Sequence, residues 1–248
     1  QYNKHTENLA EEVELSIEGI NTKLLQSVSF QLHKGEILGI GGLSDCGMHD
    51  IGRVVFGLIK PTTGDVRLSD GTCVKGTSDA VQHKIGYVSK DRDQEALMLN
   101  GSVRDNICLP SLKKLSKVGL ISKRVEKNFA ENWVDKLSIK TSSIKLFCSS
   151  LSGGNKQKVS LARWLANDSD ILILDCPTRG IDIGVKDDIY KIVMHLKEMG
   201  KSILLISEEL SELILLSDSL ITLKRGAISG RFYRKDGLEE SKIIQYII

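Results

Sequence analysis

Residues 151–182 read LSGGNKQKVSLARWLANDSDILILDCPTRGID, and the fold is decided there. The opening block, Leu151-Ser-Gly-Gly-Asn-Lys-Gln-Lys158, is followed by Val159, Ala162, Leu165 and Ala166 at helical spacing. Ser152, Gly153 and Gly154 therefore open a helix. Backbone N–H groups and the positive end of the helix dipole face an anion at such a place, and glycines let a phosphate approach closely. Ser-Gly-Gly alone would be a serine-capped helix after a loop and no more. A second block changes that. Asp170-Ile-Leu-Ile-Leu-Asp175 is the apolar run of a parallel strand buried on both faces, and it ends in a carboxylate where a phosphate-bound Mg²⁺ would sit. Pro177-Thr-Arg-Gly-Ile-Asp182 follows it.

Downstream, Ile203–Ile206 is another four-residue apolar run. The segment between carries Ile189, Ile192, Val193, Leu196 and Met199 on one helical face and ends at Gly200, which makes a βαβ unit. Leu220–Leu223 adds a strand before a Lys224-Arg225-Gly226 turn. Upstream, Val13, Leu15, Ile17 and Val28, Phe30, Leu32 alternate with period two, as half-buried strands do. Glu36–Ile40 is a buried strand entering a glycine-rich loop, residues 50–58 have helical spacing, and Ile85–Val88 is a further buried strand. Gly64–Leu68 and Cys73-Val74 read as a small strand pair. Residues 101–166 are polar and lysine-rich, with helical periodicity at Val125, Phe129, Trp133, Val134 and Leu137; Phe129 and Trp133 are expected in the core of an inserted helical piece. The expected class is α/β with a parallel core, a β-rich N-terminal piece and a helical insertion.

Composition narrows function. Of 248 residues, 34 are basic and 32 acidic, a net charge of +2 that gives no electrostatic case for a nucleic-acid partner. The lysine clusters at 113–117 and 123–127 are short and read as solvated faces. The longest clean apolar runs are four residues, far from the ~18 of a membrane span. No secretory signal opens the chain, so a cytosolic setting is expected, and Gln1 in place of Met implies a fragment or processed chain. Five cysteines without CxxC spacing argue against a zinc site or redox motif and for small buried thiols. His5, His33, His83 and His195 show no ligand spacing.

The blocks at 151–158, 170–175 and 177–182 resemble the signature, Walker B and D-loop of ABC-transporter nucleotide-binding domains, over about residues 13–230. The wording LSGGNKQKV with PTRGIDIGVK is similar to the second half of tandem ABC proteins that energise ribose- and galactoside-type monosaccharide importers. The resemblance implies an ABC-ATPase (P-loop NTPase, RecA-like) core with a parallel sheet, an N-terminal antiparallel β subdomain and an inserted helical subdomain. It implies a tail at 1–12, a β subdomain at 13–35 and 64–76, and a core at 36–63, 77–98 and 167–230. Residues 99–166 would form the helical subdomain with the signature, and 231–248 a C-terminal tail.

The family's phosphate loop has the form G-x-x-x-x-G-K-[ST]. Here that place reads Gly42-Leu-Ser-Asp-Cys-Gly47-Met48-His49. Both end glycines remain, but Asp45 replaces the middle glycine, Met48 the lysine and His49 the hydroxyl residue. A lysine–phosphate contact is a charge-assisted bond worth about 1.5–3 kcal/mol. A carboxylate ~4 Å from a phosphate charge costs up to about 4 kcal/mol at an effective dielectric of 20. Cys176 stands where the family has its general-base Glu, Ser207-Glu208-Glu209 where it has a switch His, and Ser89-Lys90-Asp91-Arg92 where it has a Gln or Glu. No aromatic lies between Tyr2 and Phe30 to stack on adenine.

The expectation is a half that does not hydrolyse ATP alone. Its Ser152, Gly153, Gly154 and Asn155 would face the ATP of the N-terminal half, with Asp182 near the same seam. Gly42, Asp45, Gly47, Met48 and His49 would form a degenerate ATP site, with Asp175 at the place of its Mg²⁺ ligand. The implied partners are that N-terminal ABC half, transmembrane permease subunits contacted around Ser89–Leu99, and an extracytoplasmic solute-binding protein. The implied location is peripheral, on the cytoplasmic face of the membrane. A nucleoside importer of the same architecture, and a non-hydrolysing scaffold or regulator, stay open at this point.

Overall fold

The computed structural model describes residues 9–248; Tyr2, His5 and the rest of 1–8 lie outside the described residues. Among the described residues, nine strands make two sheets. In the first, β1 (Val13–Asn21) lies between β2 (Val28–His33) and β4 (Thr63–Leu68), antiparallel to both. The alternation of apolar residues is its cause: Leu15, Ile17 and Ile20 on β1 and Val28, Phe30 and Leu32 on β2 all turn inward.

The second sheet has the order β5-β6-β7-β3-β8-β9. Its strands are β3 (Ile37–Gly42), β5 (Ile85–Val88), β6 (Ile171–Asp175), β7 (Ser202–Ser207), β8 (Ser219–Lys224) and β9 (Ala227–Tyr233). β6, β7, β3 and β8 run parallel, and β9 turns back antiparallel on β8. Every residue of β3, β5, β6 and β7 is buried, as expected of parallel strands covered on both faces. α/β architecture with a parallel core and a separate antiparallel sheet is therefore what the chain adopts.

The described residues form two compact units: residues 9–87, 170–176 and 193–248, and residues 88–169 with 177–192. In the first, α1 (Met48–Val55) follows β3 and packs on β6 and β7. It starts at Met48, after Gly47, and ends at Val55, earlier at both ends than the spacing of 50–58 indicates. α2 (Thr77–Gln82) precedes β5. Cys73 makes one isolated bridge to Arg67, so the strand expected at Cys73-Val74 does not form.

In the second unit α3 (Val103–Cys108) is held by a capping box between Ser102 and Asp105. After α4 (Leu112–Leu115) comes α5 (Lys123–Lys136); the two contribute Leu115 and Ala130 to a buried cluster with Cys108 of α3 and Ile144, and α3 and α5 also pack on α6 (Gly153–Ala166). Phe129 packs against that cluster. Trp133 does not; it is half-buried under the Lys136 ammonium, 4.5 Å from its ring centroid. Helix α7 (Ile183–Glu198) leads to β7, α8 (Leu210–Leu216) covers β3 and β7, and a short α9 (Glu240–Ile243) lies near the end.

Candidate functional site

In a parallel sheet, ligands gather beyond the carboxyl ends of the strands. Here the carboxyl ends of β3, β6 and β7 are neighbours, and three loops leave them: 42–48, 175–177 and 207–209. Gly42 ends β3, and the loop closes on itself through the Cys46 N–H, which donates to the Leu43 carbonyl at 2.9 Å. Gly47 takes a φ of 91° before α1, a left-handed conformation that a side chain would strain. Asp45 is exposed, with its carboxylate toward water. Met48 is the reverse: its side chain is wholly buried and offers no group to the loop's mouth.

His49 is buried too, and it points across to β6. Its Nδ1 lies 2.7 Å from Asp175 Oδ1, and its Nε2 lies 3.2 Å from Glu208 Oε1. The hydroxyl of Tyr87, from β5, donates to Asp175 Oδ2 at 3.1 Å. Both oxygens of the strand-end carboxylate are thus engaged by this chain's own side chains. Cys176 follows with a φ of 46°, pinned by its N–H to the Ile206 carbonyl at 2.8 Å. Burial, reinforced by the charge of Asp175, pushes its thiol up to about 12, so it is neutral and cannot act as a carboxylate base does. The donor set is nitrogen, oxygen and sulfur, whereas Mg²⁺ takes an octahedron of oxygens.

The second unit holds the other sequence motif. Ser152 takes the N-cap position of α6, and its hydroxyl accepts from the Asn155 side-chain amide at 2.9 Å. Asn155 Oδ1 in turn accepts the Lys140 N–H at 2.8 Å. At Gly154 a Cβ would sit 2.5 Å from Val185 Cγ1, so α6 and the start of α7 approach as closely as glycine permits. Arg92 donates to the Arg179 and Gly180 carbonyls at 2.7 and 3.2 Å, tying the 89–92 loop to the segment before Asp182. Asp182 is exposed, and its carbonyl accepts the N–H groups of Val185 and Lys186 as α7 begins.

The sequence profile described as "ABC transporter" matches residues 25–179, more than half of the chain. The chain belongs to the ABC transporter family. Its ABC fold is shared with solved cassettes: a dimeric post-hydrolysis state bound to ADP and Pi superposes with a TM-score of 0.77 at 22% identity, over 88% of this chain and 98% of that one. A nucleotide-free cassette gives 0.76 at 21% identity, over 95% and 99%. The ABC domain is 39% identical over 218 residues to the ribose import ATP-binding protein RbsA of Bacillus licheniformis, covering 88% of this chain and 44% of that protein. It is 42% identical over 235 residues to a putative ribose/galactose/methyl galactoside import ATP-binding protein of Albidiferax ferrireducens, covering 93% and 46%. The chain thus spans less than half the length of these curated relatives. Among its described residues, no helix is long and apolar enough to cross a membrane.

Sequence reasoning assigned Gly42, Asp45, Gly47, Met48 and His49 to a degenerate phosphate loop and Asp175 and Cys176 to a strand end, and the fold brings the two together at one end of the sheet. It missed Tyr87 and the role of Glu208. Nothing in the sequence marks Tyr87, which is one apolar-strand residue among four. Glu208 was noticed only as the residue standing in for a histidine; that it would face His49 needed the strand order.

Proposed function

We propose that this chain is the second, C-terminal nucleotide-binding half of a tandem ABC ATPase that energises import of a monosaccharide of the ribose or galactose kind. The names of the relatives support the transport class, and coverage of under half their length supports the tandem arrangement. One observation carries the division of labour. His49, in place of the hydroxyl residue, folds onto Asp175, and Met48, in place of the lysine, is buried. The 42–49 loop then offers neither a cation to phosphate nor a hydroxyl to Mg²⁺, and exposed Asp45 repels any phosphate that comes near.

The start of α6 keeps what the loop has lost. Ser152, Gly153, Gly154 and Asn155 stand at the positive end of a 14-residue helix and would bind the terminal phosphate of ATP held by the other half. Bound ATP with Mg²⁺ would supply the phosphoanhydride whose hydrolysis drives transport. Asp182 would border that seam, and Cys176 would leave this half without a base. The proposed layout keeps a β subdomain at 13–35 and 64–76, a core at 36–63, 77–98 and 167–230, and a helical subdomain at 99–166. Permease subunits would dock near Ser89–Leu99, with an extracytoplasmic solute-binding protein beyond them and this chain peripheral on the cytoplasmic face.

Two measurements test the reading. In the tandem protein with its permease, Ser152→Arg is expected to lower ATP turnover about a hundredfold, the scale of losing preorganised anion donors. Calorimetric titration of Mg-ATP into this 248-residue chain is expected to show no binding up to millimolar nucleotide. Unchanged turnover in the variant, or micromolar binding by the unaltered chain, would overturn it.

A further inference from the structure

We propose that the first turn of α1 and the end of β6 form a binding site for a divalent transition-metal ion of the zinc type, held by His49, Asp175 and Cys176. One donor atom from each lies within 4.8 Å of the other two, and all three residues are buried. Nitrogen, oxygen and sulfur together are the donor set of Zn²⁺, which takes histidine and carboxylate at about 2.0–2.2 Å and thiolate at about 2.3 Å in a tetrahedron, the neutral Cys176 thiol giving up its proton to solvent as the ion binds.

The surroundings of the imidazole point the same way. A neutral imidazole has one N–H, yet carboxylates face both of its nitrogens, Asp175 at 2.7 Å and Glu208 at 3.2 Å. A metal ion on Nδ1 would leave Nε2–H donating to Glu208. Cys176 Sγ, which accepts a hydrogen bond from the Glu208 backbone, would be the third donor to that ion. Glu208 then acts as the outer carboxylate that fixes the ring of a metal-bound histidine. Its side chain is 36% exposed and opens the cluster to solvent.

Tetrahedral geometry separates a bound nitrogen and oxygen by about 3.3 Å, so the ion enters by widening the His49–Asp175 contact slightly. Water takes the fourth position. The site ties the 42–49 loop to the end of β6 and needs no partner half.

The test is zinc uptake by the metal-free 248-residue chain, read against a chromophoric chelator, with Co²⁺ as the spectroscopic probe. One zinc per chain is expected to survive dialysis, and Co²⁺ is expected to show a thiolate-to-metal charge-transfer band. Cys176→Ser should abolish that band, and His49→Gln should abolish retention. Glu208→Gln leaves all three donors in place and should weaken zinc about ten- to a hundredfold. Circular dichroism confirms that each variant is folded. Absence of zinc retention, a cobalt complex without the thiolate band, or zinc affinity unchanged by Cys176→Ser would overturn the site. No nucleotide enters the assay, so its failure would leave the ATP reading above standing.

Discussion

At position 49 an imidazole stands between two carboxylates, and the rest of the local chemistry follows from that placement. Removing Asp175 takes away the 2.7 Å partner of His49 Nδ1 and the acceptor of the Tyr87 hydroxyl in a buried place. Each such orphan costs about 1–3 kcal/mol, so Asp175→Ala should lose about 3 kcal/mol or more in urea unfolding. A second buried carboxyl gives a pH dependence. Glu36 accepts the His33 N–H at 2.7 Å and the Ser219 hydroxyl, yet burial outweighs these bonds and holds its pKa above the ordinary 4.5. The folded state therefore binds the extra proton. The stability it contributes is complete below 4.5 and drains away as pH rises through the higher folded value. Glu36→Gln removes that slope, so unfolding curves of variant and parent should diverge in the variant's favour from acid toward neutral pH. Substitutions such as Met48 and Cys176 were legible in the sequence because a motif fixed their places. The His49–Glu208 contact was not, because it joins loops that only the strand order makes neighbours.

Among the elements, α7 is fastened to the sheet by an ion pair buried on both sides. Lys197, in its last turn, meets Asp218 at the entry to β8, and the other oxygen of Asp218 accepts the Ile37 N–H at 2.9 Å. Breaking such a pair strands a charge and costs about 3–5 kcal/mol, whereas a neutral replacement of both members costs far less. Lys197→Met alone should lower stability by about that amount, and Lys197→Met with Asp218→Asn should recover most of it, read as a double-mutant cycle in denaturant. The strands were largely legible, since β1 and β2 alternate and β6 and β7 are unbroken apolar runs. The Cys73-Val74 segment and Trp133 were misread for related reasons. Two apolar residues do not make a ladder, and an aromatic at helical spacing can lie under a lysine instead of in a core.

For the whole molecule, the governing fact is that β3 sits inside the larger sheet, between β7 and β8. Ile37 pairs with Ile203, and Leu38 with Ser219, so residues from the first sixth of the chain meet their partners only in its last fifth. During synthesis at ~5–20 residues per second, that interval lasts about 10–30 s. Ribosome-arrested chains truncated before residue 203 should therefore be cut rapidly by protease around 37–42, with protection appearing once residue 223 has cleared the exit tunnel. Until then Ile37, Leu38 and Ile40 have no sheet to enter. They form the stretch of nascent chain on which a holding chaperone would be found.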